Sequence, residues 1–122
     1  MEDFSQNEGY IWYDGELVDW KDSKVHILTH GLHYASSVFE GERCYDGKIF
    51  KELEHTKRLH HSANTLGFKI PYSVDEICEI RKIVLEANNI TNGYIRPVAW
   101  RGSEMMGISA QRNTIHLAVA AW

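Results

Sequence analysis

The sequence predicts an α+β domain: a small, largely antiparallel sheet carrying two helices. Three observations lead there. Two Asp-Gly pairs each stand between strand-like runs, two segments carry apolar residues at helical spacing, and two late runs are rich in β-branched and aromatic residues.

The first pair, Asp14-Gly15, joins Tyr10–Tyr13 to Glu16–Trp20. Asp-Gly in that setting signals a tight hairpin, because both residues tolerate the left-handed backbone that a two-residue turn requires. Asp46-Gly47 predicts a second hairpin, in which Val38–Tyr45 returns as Lys48–Lys51. Between the two, Val25–Ser37 is rich in histidine, glycine and small residues and is expected to be mostly loop. Leu59, Ala63 and Leu66 fall at i, i+4 and i+7 and predict a helix over Leu53–Leu66, stopped by Gly67. Ser73 and Glu76 make a capping box for a second helix, and Pro71 keeps the preceding chain out of it. Ile77, Ile80, Val84 and Ala87 are its apolar stripe, and Asn88-Asn89 ends it. Tyr94–Trp100 and Thr114–Trp122 are then expected as strands. The chain stops inside the apolar run TIHLAVAAW, from which we expect one domain of a longer protein.

Several function classes are excluded early. The 122 residues suffice for one domain, and 13 basic against 17 acidic side chains give a net charge of −4. With no excess of cations to neutralise phosphates, neither nucleic acid nor a membrane surface is an expected partner. No apolar run reaches the roughly 20 residues of a bilayer span, and MEDFSQNEGY has none of the features of a secretory signal. Cys44 and Cys78 match no metal or redox spacing, so both are expected as buried free thiols in a reducing cytoplasm. His26, His30 and His33 recur at i, i+4 and i+7, and His60-His61 lie in the first predicted helix. Without cysteines or an HExxH pattern nearby, they are expected as polar residues of structured segments and not as a metal site. Ser36-Ser37 lacks the G-x-S-x-G context of a nucleophile, and no glycine-rich phosphate loop is present.

Alternation along Val38–Tyr45 puts Phe39, Gly41, Arg43 and Tyr45 on one face, and Val38, Glu40, Glu42 and Cys44 on the other. An aromatic ring, a bare backbone position and a guanidinium side by side suit an amphipathic small molecule. Tyr94 and Arg96 share a face of their own strand, where a phenol and a guanidinium can grip a carboxylate. On the first helix Arg58, Ser62 and Thr65 line a strip beside the apolar stripe, a combination able to hold a phosphate.

The stretch THGLHYASSVFEGERCYDG, residues 29–47, resembles the signature of the branched-chain aminotransferases, which belong to the fold-type IV pyridoxal-phosphate enzymes. YIWYDGELVDWKDSKVHIL, EHTKRLHHSA and GYIRPVAWRGSEMMGIS match further family segments in the same order, so the likeness runs from about Tyr10 to Trp122. It implies the amino-terminal small domain, residues 1–122, of a homodimeric or larger cytoplasmic enzyme. That enzyme would move the amino group of leucine, isoleucine or valine to 2-oxoglutarate through pyridoxal 5'-phosphate. By the same likeness, Arg58 binds the cofactor phosphate, while Tyr94 and Arg96 meet substrate carboxylates. Phe39, Gly41 and Arg43 line the substrate side of the cofactor, and Tyr34 and Ile108 reach the partner subunit's site. The cofactor lysine would lie beyond Trp122, since Lys21, Lys24, Lys48, Lys51, Lys57, Lys69 and Lys82 all fall outside its motif. No catalytic residue is therefore expected in this chain, and the fragment alone is expected to be inactive. Two positions depart from the family: Ala35 stands where glycine is common, and Glu42 where isoleucine is usual. Alternation turns Glu42 away from the pocket. The competing readings are a D-amino-acid aminotransferase or aminodeoxychorismate lyase of the same fold, and a non-catalytic ligand- or partner-binding domain.

Overall fold

The computed structural model describes residues 3–122. Strand β1 (Tyr10–Tyr13) turns through Asp14-Gly15 into β2 (Glu16–Asp19). Both turn residues take positive φ, 48° and 110°, as the hairpin signal requires. Trp20, expected at the end of the strand, lies outside it and opens a short 3-10 turn, Trp20–Asp22. Residues 25–37 are not all loop: His30–Tyr34 forms a helix, α1. Ala35 closes it in the left-handed conformation (φ 57°, ψ 28°), the backbone that glycine adopts at less cost.

The predicted strand Val38–Tyr45 is two strands, β3 (Ser37–Phe39) and β4 (Glu42–Tyr45). Both pair with β6 (Gly93–Arg101), Phe39 opposite Val98 and Glu42 opposite Ile95, so the register runs through the gap without a slip. Pro97 stands opposite Glu40 in that register. Its carbonyl accepts from the Glu40 N–H at 3.1 Å, but proline has no N–H to return the bond. The gap is thus a missing ladder bond and not a change of direction, and the predicted alternation survives it: Val38, Glu40, Glu42 and Cys44 are buried, whereas Phe39, Arg43 and Tyr45 are exposed.

After Asp46-Gly47 the return strand β5 is only Lys48–Ile49. Lys51, with φ 57°, leaves the strand and precedes α2 (Glu52–Thr65), which starts one residue before the predicted helix. Leu59 and Ala63 are buried as predicted, but Leu66 is the exposed C-cap and not part of the stripe. Helix α3 (Val74–Ala87) opens with the Ser73–Glu76 capping box: the Glu76 N–H donates to Ser73 Oγ at 3.1 Å and the Ser73 N–H to Glu76 Oε1 at 3.0 Å. The last strand, β7, is Ile115–Ala121.

The sheet order is β2-β1-β7-β6-β4-β5, with β3 beside β6, and every pairing is antiparallel. One face carries Trp12, Val38, Cys44, Ile95, Ala99, Leu117 and Val119 into a core with Leu59, Ala63, Ile77, Ile80 and Val84 from α2 and α3. The other face has neither long helix over it. Cys44 is buried and Cys78 only half-buried, a correction to the expectation of two buried thiols; both are free. Among the described residues no helix is long and apolar enough to cross a membrane.

Candidate functional site

The face of the sheet opposite α2 and α3 gathers the residues that alternation grouped. β4 and β6 place Arg43 opposite Tyr94. The Tyr94 hydroxyl accepts from Arg96 Nη2 at 2.8 Å and Nε at 3.3 Å, so its own hydrogen remains free to donate. The Arg96 guanidinium lies 4.1 Å above the centre of the Phe39 ring, which is itself more than half exposed. Among the described residues no carboxylate pairs with Arg43 or Arg96. Two guanidiniums without anions, one fixed by a phenol and an aromatic face, form a receptor for a carboxylate.

Gly41 shares this face because a side chain there would collide with Tyr94. A Cβ built on Gly41 would lie 1.9 Å from the Tyr94 hydroxyl and 2.8 Å from Cζ. Gly41→Ala should therefore swing the Tyr94 ring off Arg96 while leaving the sheet intact. We expect it to weaken carboxylate binding by about tenfold, the loss of one charge-assisted bond. Titration of the full-length protein with leucine checks this, and an unchanged affinity would mean the ring yields without consequence.

Beside Arg96 runs a groove of about 330 Å³, lined by Ile11, Tyr13, Val25, Leu32, Trp100 and Ala120 among others. Its walls are mostly apolar, so an aliphatic group entering it gains by burial. At its α1 end, buried polar side chains pin the segment between β6 and β7. His30 Nε2 donates to the Gly107 carbonyl at 3.0 Å, which leaves Nδ1 to accept from the Ser36 hydroxyl at 2.6 Å. Asn113 donates to the Gly102 and Met105 carbonyls, both at 2.9 Å. Tyr34 donates to the Met106 carbonyl at 3.0 Å, and Ile108 stands 84% exposed on the same pinned segment. No hydrogen bond joins Tyr34 or Ile108 to the Arg96 cluster among the described residues. His26 and His33 also meet the backbone, through the Leu28 N–H and the Ile27 carbonyl.

Arg58 is placed elsewhere, on the outer side of α2. Its Nε and Nη2 donate to the two oxygens of Glu40 at 2.8 and 2.7 Å, and His55 Nδ1 donates to Glu40 Oε1 at 2.7 Å. Burial pushes the Glu40 carboxyl up, but the bonds and charges of Arg58 and His55 outweigh it and hold the group below the ordinary carboxylate value. Of the expected hydroxyl strip Thr65 is spent, its hydroxyl donating one turn back to the His61 carbonyl, whereas the Ser62 hydroxyl has no hydrogen-bond partner among the described residues. The clamp on Arg58 is absent from the expectations drawn from sequence. The signal for it was the alternation that turned Glu40 and Glu42 into the core, where a carboxylate requires a cation. Glu42 finds Arg81, fully buried on α3.

A match to the amino-transferase class IV family covers residues 37–122. The branched-chain-amino-acid aminotransferase of Pseudomonas aeruginosa is 47% identical over 97% of this chain and 40% of its own length. The solved branched-chain amino acid aminotransferase of Escherichia coli superposes with a TM-score of 0.90 at 41% identity, over 95% of this chain and 41% of that one. A further solved branched-chain amino acid aminotransferase, complexed with N-(5'-phosphopyridoxyl)-L-glutamate, gives 0.88 at 39% identity, over 94% and 41%. The chain spans about 40% of the length of the curated relatives it matches.

Proposed function

The chain belongs to the amino-transferase class IV family, and on that premise we propose that it is the amino-terminal domain of a branched-chain aminotransferase. The enzyme transfers the amino group of leucine, isoleucine or valine to 2-oxoglutarate with pyridoxal 5'-phosphate as cofactor. One observation carries this reading: Arg96, without a carboxylate partner among the described residues, is held by Tyr94 and Phe39 at the edge of an apolar groove. That arrangement suits a molecule with a carboxylate at one end and an aliphatic chain at the other. The relative complexed with a phosphopyridoxyl-glutamate conjugate supports both the cofactor and the second substrate.

The residues present fit the cofactor at its phosphate. Arg58 keeps Nη1 without a protein partner among the described residues, on a side chain 64% exposed, and so has donors to offer an anion. When bound, the cofactor supplies the electron sink on which amino-group transfer depends. This chain's own contribution is binding and orientation. Arg58 holds the phosphate, and Tyr94 and Arg96 take the carboxylate. Gly41 leaves room for the Tyr94 ring, Arg43 adds a second cation, and Phe39 shields one wall from water. Tyr34 and Ile108, on the segments pinned around His30, complete the aliphatic pocket of a partner subunit in a homodimer. The cofactor lysine and the proton transfer belong to a further domain outside residues 1–122. Two free thiols fit a cytoplasmic site of action.

The full-length protein is expected to form glutamate from leucine and 2-oxoglutarate. Turnover of D-alanine or of aminodeoxychorismate with none of leucine would overturn the assignment in favour of another enzyme of the same family. Arg58→Ala is expected to weaken pyridoxal-phosphate affinity on the order of tenfold to a hundredfold. An unchanged dissociation constant, read from cofactor absorbance, would return Arg58 to the role of a surface charge paired with Glu40.

A further inference from the structure

Resting on the reading that Arg58 anchors the cofactor phosphate, we propose that Glu40 is the positioning residue for that contact. It occupies the side-on fork of the Arg58 guanidinium and leaves the end-on fork for the phosphate. An arginine presents two planar forks, one made by Nε and one Nη hydrogen, the other by the outer hydrogens of both Nη atoms. Glu40 takes the first, with Nε at 2.8 Å and Nη2 at 2.7 Å. Nothing bonds Nη1 among the described residues, so the second fork stays whole for an anion that accepts bidentately.

Glu40 is the rigid member of the pair. Its side chain is 5% exposed, its main-chain N–H is tied to the Pro97 carbonyl at 3.1 Å, and His55 Nδ1 fixes Oε1 at 2.7 Å. Arg58, 64% exposed on the outside of α2, has no acceptor other than Glu40 among the described residues. Without it a long side chain with many rotamers would keep its charge and lose its direction. The arrangement also ties two sites through one peptide. Glu40 faces Arg58, and the next residue, Gly41, faces Tyr94 across the sheet.

The test measures dissociation constants of pyridoxal 5'-phosphate and of pyridoxal, which lacks the phosphate, by cofactor absorbance in the full-length protein. Wild type is compared with Glu40→Ala, Glu40→Gln, Arg58→Ala and the Glu40→Ala/Arg58→Ala double variant. Glu40→Ala should weaken pyridoxal 5'-phosphate binding about tenfold and pyridoxal binding less than about twofold. Glu40→Gln, which keeps one acceptor oxygen, should lose about threefold, and the double variant should be no weaker than Arg58→Ala alone. Equal losses for the two ligands would reduce Glu40 to a structural residue. An Arg58→Ala loss alongside unchanged or tighter binding in Glu40→Ala would overturn the proposal while sparing the phosphate anchor. No loss in Arg58→Ala would remove the underlying reading itself. If Glu40→Ala does not fold, the same ratios in Glu40→Gln decide.

Discussion

Arg96→Leu is expected to lower kcat/KM for glutamate roughly thirtyfold to a thousandfold in the full-length enzyme, and for leucine about tenfold. The two half-reactions present one pocket with different side chains. Leucine brings an aliphatic chain and one carboxylate; glutamate brings a second carboxylate in place of the aliphatic end. Arg96 is half-buried, free of any carboxylate among the described residues, and fixed between the Tyr94 hydroxyl at 2.8 Å and the Phe39 ring at 4.1 Å. A cation held ready in this way contributes most to the substrate that arrives with an extra anion. Without it, that anion enters a partly dry pocket lacking its best donor, at a cost of roughly 2–4 kcal/mol. Leucine, whose one carboxylate keeps the Tyr94 hydroxyl as a donor, loses only the share of that contact that Arg96 supplies. Single-turnover conversion of the cofactor to its amine form, with each amino acid separately, gives the comparison. Equal losses would mean that Arg96 holds only the α-carboxylate common to both, and a larger loss for leucine would put Arg96 on the wrong side of the pocket.

What could be read from sequence, and what could not, divides by the range of the interaction. Asp14-Gly15 and Asp46-Gly47 were legible because a two-residue hairpin demands positive φ, which few residue pairs supply. Ser73 and Glu76 were legible because a capping box closes within one turn. The faces of Val38–Tyr45 were legible because the pleat alternates strictly, and the lost ladder bond at Pro97 did not shift the register. The break itself was not, since it depends on which residue of a distant strand stands opposite Glu40. The same holds for the site. Tyr94 and Arg96 share a face by spacing alone, but the reason for Gly41 is a tyrosine ring from another strand. The grip of Glu40 on Arg58 spans 18 residues and that of Glu42 on Arg81 spans 39, beyond any local periodicity. Short α1 escaped for a different reason: five residues carry too little of a 3.6-residue pattern to rise above His-Gly-rich composition.

Arg81→Met is expected to destabilise the domain by about 3–5 kcal/mol, a large part of the stability of a small domain. Arg81 and Glu42 are both fully buried and bonded to each other, and Arg81 Nη1 also donates to Thr56 Oγ1 at 2.7 Å. Removing the cation leaves a carboxylate in the core with no compensating charge. Burial already pushes the Glu42 carboxyl above the ordinary value, with the Arg81 charge and bond pulling it back down. In the variant the two largest downward pulls are gone, so the folded-state pKa lies further above the unfolded one. A group shifted that way contributes its stability below the unfolded pKa and loses it as pH rises through the folded pKa. The gap between variant and wild type should therefore narrow as pH falls from neutral towards the ordinary carboxylate range. The pair itself is not fully satisfied, because Glu42 Oε2 and Arg81 Nε are buried without a partner. Orphaned atoms of this kind make an apolar replacement favourable. Glu42→Ile/Arg81→Met should thus recover the loss and exceed wild type by about 1–4 kcal/mol, with Thr56 keeping its bond to the Glu52 carbonyl. Urea unfolding midpoints at two pH values, for wild type, each single variant and the double, provide the measurement. A double variant no more stable than Arg81→Met would show that the two helices and β4 need the ion pair to pack at all.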